Sequence, residues 1–228
     1  MKTNTEISES EIAGKIDHTL LRPDAVKEEI VQLCEEAKAY GFAAVCVPPC
    51  YVKIVNNLLQ GTRVRVATVV GFPLGYQISK VKFFEAHQAI TEGADEIDYV
   101  MNISAFKSGS FDEVENELGE ISTLCQFKNA SLKVIIETAL LTEEEIIKAC
   151  KICAAADVNY VKTSTGFASR GASVEDVRLM RANLPSKIKI KAAGGIKTYA
   201  SAKALIEAGA DRLGCSASIQ IVEDAKNE

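Results

Sequence analysis

Eight short β-rich runs, each followed by a longer amphipathic run, set the strongest limit on what this chain can fold into. The β-rich runs lie at residues 16–20, 43–47, 64–69, 96–101, 132–136, 160–163, 189–192 and 212–214. Helix-period runs lie at 25–40, 51–59, 79–92, 111–127, 143–156, 174–182 and 199–208, with a last piece after Ser216. Strands that alternate with helices call for a parallel sheet. Eight such pairs in 228 residues predict an α/β fold closed into one (β/α)8 TIM barrel, which typically takes about 250 residues. Gly41, Gly93 and Gly209 follow three of the helical runs, where a left-handed cap is expected. Thr142 and Glu145 have the spacing of a capping box. No linker or low-complexity stretch divides the chain. The expectation is therefore a single barrel domain over 1–228, with 1–11 a polar segment or short helix.

Composition narrows the function. A net charge of −5 leaves no basic footprint for nucleic acid. No apolar run approaches the ~20 residues needed to cross a bilayer, and residues 1–11 lack the apolar stretch of a secretion leader. Seven cysteines, an odd number, predict reduced thiols in a cytoplasmic protein. Cys150 and Cys153 match C-x-x-C, but they sit in a helical run with no second pair, so buried helix-face thiols are expected over redox or metal use. Cys46 and Cys50 flank Val47-Pro48-Pro49, and Cys46 is expected to pack at a strand end; a nucleophile there lacks a histidine partner pattern. Neither His18 nor His87 has metal-ligand spacing, and His87 falls inside a helical run. No metal or cofactor is expected.

Strand parity then sorts the polar side chains. Alternate strand residues face opposite ways. If Ile97, Tyr99, Val161, Ile188 and Ile190 face the surrounding helices, then Asp98, Lys162 and Lys191 point into the barrel. Burying an ammonium is costly unless it is paired or neutralised. Two neighbouring lysines repel in their charged forms, so one loses its proton more readily, and a neutral lysine amine forms Schiff bases with carbonyl compounds. The alternative is an internal ion-pair network with no chemistry. Glycines follow the late strands: Gly166, Gly194-Gly195 and Gly214, the last followed by Cys215-Ser216. Loops after strands seven and eight are a frequent phosphate site in such barrels; tight turns are the plainer reading. Asp17 and Thr19 end the first strand, placed either to bond a sugar hydroxyl or to cap the loop.

These motifs together resemble the deoxyribose-phosphate aldolases, a class I aldolase family. The resemblance runs along nearly the whole chain and is carried by Ile16-Asp17-His18-Thr19-Leu20-Leu21, Val45 to Val52, Val69 to Gly75, Asp95 to Asn102, Lys133 to Thr138, Val161 to Phe167 and Lys191 to Ile196. It implies the eight-stranded barrel and reversible cleavage of 2-deoxy-D-ribose 5-phosphate to acetaldehyde and D-glyceraldehyde 3-phosphate. It implies Lys162 as the Schiff-base lysine, Lys191 as the neighbour that lowers its pKa, and Asp98 as the acid/base partner. By the same resemblance Asp17 contacts a substrate hydroxyl, with Thr19 and Cys46 lining the pocket. Thr165, Gly166, Gly194, Gly195, Gly214 and Ser216 hold the phosphorylated end. It implies no cofactor, a phosphorylated sugar as the only partner besides further copies of the chain, and a homo-oligomer, with a dimer favoured. Two departures stand out: Pro48 where the family often has Asn, and Gly214-Cys215-Ser216-Ala217-Ser218 where it often has Gly-Thr-Ser-Ala-Gly. Other Schiff-base sugar-phosphate aldolases or transaldolases, and a barrel that binds a sugar phosphate without cleaving it, are the alternatives.

Overall fold

A computed structural model describes residues 7–226. Eight strands close a parallel barrel in sequence order: β1 (Ile16–Thr19), β2 (Ala44–Val47), β3 (Arg65–Val70), β4 (Glu96–Val100), β5 (Ser131–Ile135), β6 (Tyr160–Lys162), β7 (Lys189–Ala193) and β8 (Arg212–Cys215). Closure is made by β8 on β1, with Asp17 beside Gly214. The helices are α1 (Glu9–Ala13), α2 (Lys27–Tyr40), α3 (Val52–Leu59), α4 (Ser79–Thr91), α5 (Ile103–Lys107), α6 (Phe111–Phe127), α7 (Glu143–Ala155), α8 (Val174–Asn183), α9 (Tyr199–Glu207) and α10 (Ser218–Ala225). No helix among the described residues is long and apolar enough to cross a membrane.

The expected (β/α)8 barrel is the observed one, and its element ends move by a few residues for local reasons. The second helix begins at Lys27 rather than residue 25 because the Glu29 carboxylate turns back to accept from the Val26 N–H at 3.0 Å. The Pro48-Pro49 pair makes a short 3-10 turn over Pro49–Tyr51, so α3 starts one residue later than expected. Gly41 closes α2 in the left-handed conformation at φ 68°, which costs glycine little. The Thr142–Glu145 capping box is present. Helix α1 overlaps the stretch expected as a polar segment or short helix, and α5 adds to the expected set. Helix α1 follows its own capping box, Ser8 with Glu11; residues 1–6 of the expected 1–11 segment lie outside the described residues. Helix α5 begins where the Asn102 side chain accepts from the Ala105 N–H at 3.1 Å; a single short turn inside a loop gives no periodic signal.

The barrel has two kinds of interior. Between strands and helices lies one apolar layer that includes Ile97, Tyr99, Leu132, Val134, Val161, Ile190 and Ala192. Each large side chain buried there contributes about 1.5–3 kcal/mol. Inside the ring, Ala44, Cys46, Ala67 and Val69 form a small apolar wall packed by Leu21 and Phe72. That interior also holds a set of charges: Asp17, Glu96, Asp98, Lys133, Lys162 and Lys191 are all buried. The alternation expected over 187–191 holds: Ile188 and Ile190 enter the apolar layer, while Lys187 and Lys189 line the lower mouth of the barrel and Lys191 is buried inside it. Cys150 and Cys153 are buried on α7, as expected.

Candidate active site

Three strands bring their lysines to one carboxylate. Asp98 of β4 accepts from Lys162 of β6 at 2.6 Å and from Lys191 of β7 at 2.7 Å, both on Oδ2. Its Oδ1 accepts from Lys133 of β5 at 2.6 Å. Lys133 also pairs with Glu96 at 2.7 Å and lies 3.6 Å from Asp17. Asp17 in turn takes Lys191 on Oδ2 and Arg212 of β8 on Oδ1, the latter at 2.6 Å. Parity thus places Asp98, Lys162 and Lys191 together as the sequence predicts. It also places Lys133 and Arg212 there, which the sequence reading did not single out. Lys133 carried the same signal, a lysine flanked by the outward-facing Leu132 and Val134.

The charges in this network do not behave alike. Burial is the largest influence on Lys162 and pushes its pKa down; Asp98 opposes this, and Lys191 adds to the lowering. The net direction is down, because burial outweighs Asp98, the one carboxylate that Lys162 meets among the described residues. Burial also works to neutralise Lys191, but Asp17 and Asp98 outweigh it and hold that lysine charged, above the ordinary lysine value. Lys133 is likewise held well above it by Asp98, Glu96 and Asp17 against its burial. Burial alone raises the Asp98 carboxyl, yet Lys133, Lys162 and Lys191 keep it well below the usual carboxylate range. Asp17 is lowered in the same way by Lys191, Lys133 and Arg212. Of the three lysines, Lys162 is therefore the one that gives up its proton most readily. Sequence reasoning put the repulsion from Lys191 first; in the folded chain, burial of Lys162 is the larger cause.

Lys162 is also the lysine of the three that opens into a pocket. A cavity of about 330 Å³ at the C-terminal ends of the strands is lined by Lys162, Thr19, Thr165, Gly166, Gly194, Gly195, Gly214 and Ser216, with Leu20, Phe167, Arg22 and Lys197 among the other wall residues. Asp17, Asp98, Lys191 and Cys46 lie beneath its floor with no exposed surface. Cys46 lies close to Asp98 and the lysines, and burial, the largest influence, pushes its thiol up to about 11.

The glycine side of the pocket has a specific build. Gly166, Gly194 and Gly195 have φ of 89°, 88° and 75°, a conformation that L side chains rarely adopt. A Cβ on Gly171 would stand 2.0 Å from the Gly194 carbonyl oxygen, so the loops after β6 and β7 pack backbone to backbone. A second support lies behind Thr165. Glu137, buried and itself at φ 51°, accepts from the Thr165 N–H at 3.1 Å and from the Thr165 hydroxyl. Glu137 falls within the Lys133 to Thr138 stretch of the family resemblance, but it lies just past a strand end, where parity no longer applies and assigns it no role. Among the described residues no cluster of His, Cys, Asp or Glu is arranged to hold a metal ion. A poised amine above a charged floor, beside a glycine-walled recess, suits addition to the carbonyl of a phosphorylated molecule.

Comparison with known proteins agrees with that chemistry. The family model described as DeoC/LacD family aldolase matches residues 12–220. The chain belongs to this family. The deoxyribose-phosphate aldolase of Caldanaerobacter subterraneus subsp. tengcongensis is 51% identical over 218 residues, covering 95% of this chain and 94% of that protein. That of Thermococcus gammatolerans is 52% identical over 219 residues, covering 95% and 97%. Among solved structures, the tetrameric deoxyribose phosphate aldolase from Aeropyrum pernix superposes with a TM-score of 0.91 at 32% identity, covering 96% of this chain and 92% of that one. The family's aldolase chemistry gives the Lys162 pocket a reaction class.

Proposed function

We propose that this aldolase cleaves 2-deoxy-D-ribose 5-phosphate reversibly to acetaldehyde and D-glyceraldehyde 3-phosphate through a Schiff base on Lys162. The observation that carries this reading is the place of Lys162: among the described buried lysines it alone lines the pocket, and within the Asp98 network its pKa is lowered while those of Lys133 and Lys191 are raised.

The neutral Lys162 amine adds to the open-chain C1 aldehyde, and loss of water leaves a protonated imine. Removal of the C3 hydroxyl proton sends the C2–C3 bonding electrons into that imine. Glyceraldehyde 3-phosphate departs and an enamine remains. Asp98 and Lys191, directly under Lys162, handle this proton through a water and return one to C2; hydrolysis of the new imine then frees acetaldehyde and Lys162. Because Asp98 stays ionised and Lys191 stays protonated, the pair supplies one base and one acid at neutral pH.

The phosphate sits against Gly166, Gly194, Gly195, Gly214 and Ser216, with Lys197 adding positive charge at the wall and Arg22 held there by Asp24 and Glu29. Thr19 lines the same pocket and is the first-strand residue placed to meet a sugar hydroxyl. Asp17, expected from the family resemblance at that contact, is sealed beneath the floor and bonded to Lys191 and Arg212. In this reading it anchors Lys191. Cys46 packs under the lysines rather than in the wall. Seven free thiols suit a reducing cytoplasm. The exposed Leu74, Tyr76, Ile78 and Phe84 give a second copy an apolar surface to cover, in keeping with a homo-oligomer.

Product analysis tests the assignment: 2-deoxy-D-ribose 5-phosphate is to give equimolar acetaldehyde and glyceraldehyde 3-phosphate. Cleavage of longer sugar phosphates with none of this substrate would overturn it.

A further inference from the structure

The opposite mouth of the barrel carries a cluster of charged groups, of which Glu96 and Arg212 also reach the network beneath the aldol site. Arg65, Glu96, Ser131, Tyr160, Lys189 and Arg212 open six consecutive strands, β3 to β8, and all six line one cavity of about 280 Å³, together with Asn159 and Lys187. Four of these side chains are cationic in a protein whose net charge is −5. Their charge is incompletely balanced. Glu96, the one acid in the wall among the described residues, is engaged by Lys133 at 2.7 Å and Arg212 at 3.4 Å, which leaves Arg65 with a distant contact at 3.9 Å. Lys187 pairs with Asp157 at 2.5 Å on the rim. Lys189 has no ion-pair partner among the described residues and instead lies 5.6 Å from the centre of the Tyr160 ring. Arg212 sits on the same ring, also at 5.6 Å.

We propose that this lower mouth binds a small phosphate-class oxyanion, separately from the substrate pocket at the other end of the barrel. A concave, polar recess with two guanidinium groups and an unpaired ammonium is matched to a multivalent oxyanion, which takes charge-assisted bonds from the Arg forks and a point charge from Lys189. The amide of Asn159 and the hydroxyls of Ser131 and Tyr160 supply neutral partners in the same wall. The site is wired to the catalytic lysines by two contacts. Arg212 bonds Asp17 at 2.6 Å, and Asp17 bonds Lys191. An anion on Arg212 competes with Asp17 for the same guanidinium, which leaves the Asp17 carboxylate to Lys191 and tightens that hold. Occupancy below is thereby felt above.

Isothermal titration with inorganic phosphate tests the site. The whole protein is expected to show two binding events, and the double variant Arg65→Ser/Lys189→Ser one, the lost event weakening at least tenfold, about 1.4 kcal/mol. Neither residue belongs to the aldol machinery, so cleavage in phosphate-free buffer is to be retained. Lys189→Glu alone, an exposed change, is to abolish the same event. Phosphate is also expected to alter the rate on unphosphorylated 2-deoxy-D-ribose differently in the parent protein and the double variant. Glycerol 3-phosphate in a parallel titration separates a phosphomonoester from the free ion, and binding of either at the lower mouth supports the proposal. The same number of events with the same affinities in parent and variants would overturn it.

Discussion

Replacing Lys191 by Met removes a charge that does two things at once. Lys162 and Lys191 both donate to Asp98 Oδ2, at 2.6 and 2.7 Å, so their ammonium nitrogens are at most about 5.3 Å apart. At an effective dielectric near 20, two unit charges at that distance repel by about 3 kcal/mol. Without that repulsion Asp98 holds Lys162 charged more firmly. The fraction of neutral amine at fixed pH then falls on the order of a hundredfold, since about 1.4 kcal/mol is a factor of ten. The direction is set by Lys162 itself: the nucleophile is the neutral form, so the acid limb of activity moves to higher pH. The assay is the pH profile of kcat/KM, with the rate of borohydride trapping as a readout that skips the carbon–carbon step. Both limbs are to shift upward together in Lys191→Met. Stability falls by about 3 kcal/mol, the lower part of the range for breaking a buried pair, because Asp98 keeps Lys133 and Lys162 and Asp17 keeps Arg212. An unshifted limb with a uniformly lower rate would refute the electrostatic argument and leave Lys191 as a proton carrier only.

Three further outcomes follow from the same geometry. Asp17 and Asp98 are held below their unfolded values by the lysines and Arg212, so their pairing stabilises the fold above about pH 4 and is lost as pH falls through the depressed values; denaturation midpoints that stay flat down to pH 2 would contradict this. Gly171→Ala drives a Cβ to within 2.0 Å of the Gly194 carbonyl oxygen. That strain is expected to cost about 1–3 kcal/mol and to raise KM for the phosphorylated substrate more than for 2-deoxy-D-ribose, as steady-state kinetics on both sugars will read. Alkylation of the native protein, followed by peptide mapping, is to label the exposed Cys50 well before Cys46, which is buried with its thiol pushed up to about 11.

Much of this was legible in the sequence because two periodicities are enforced by burial. Strand parity is strict wherever one face meets the helices, so a lysine between apolar neighbours has to enter the barrel. That placed Asp98, Lys162 and Lys191 without any coordinates. Lys133 met the same condition and completes the network, but its place in the alternation did not reveal that it shares Asp98 and Glu96. Such pairing depends on the stagger of β4 against β5, which puts Asp98 beside Lys133 and which no single strand encodes. Arg212 opens its strand, where parity has no preceding neighbour to fix it. Glu137 and Asn102 lie in loops, and their hydrogen bonds to Thr165 and Ala105 arise from turn geometry that leaves no repeat. Asp17 shows the remaining limit: its identity and strand position were evident, but whether it faces a sugar or a lysine depends on how deep in the barrel it lies.

The central claim is that Lys162 alone among the buried lysines becomes a Schiff base. The direct test is to mix the protein with 2-deoxy-D-ribose 5-phosphate, reduce with borohydride, and map the modified peptide by mass spectrometry. The account predicts one adduct, on Lys162, and none in Lys162→Ala, which stays folded and inactive. An adduct on Lys133 or Lys191, or turnover surviving in Lys162→Ala, would contradict it.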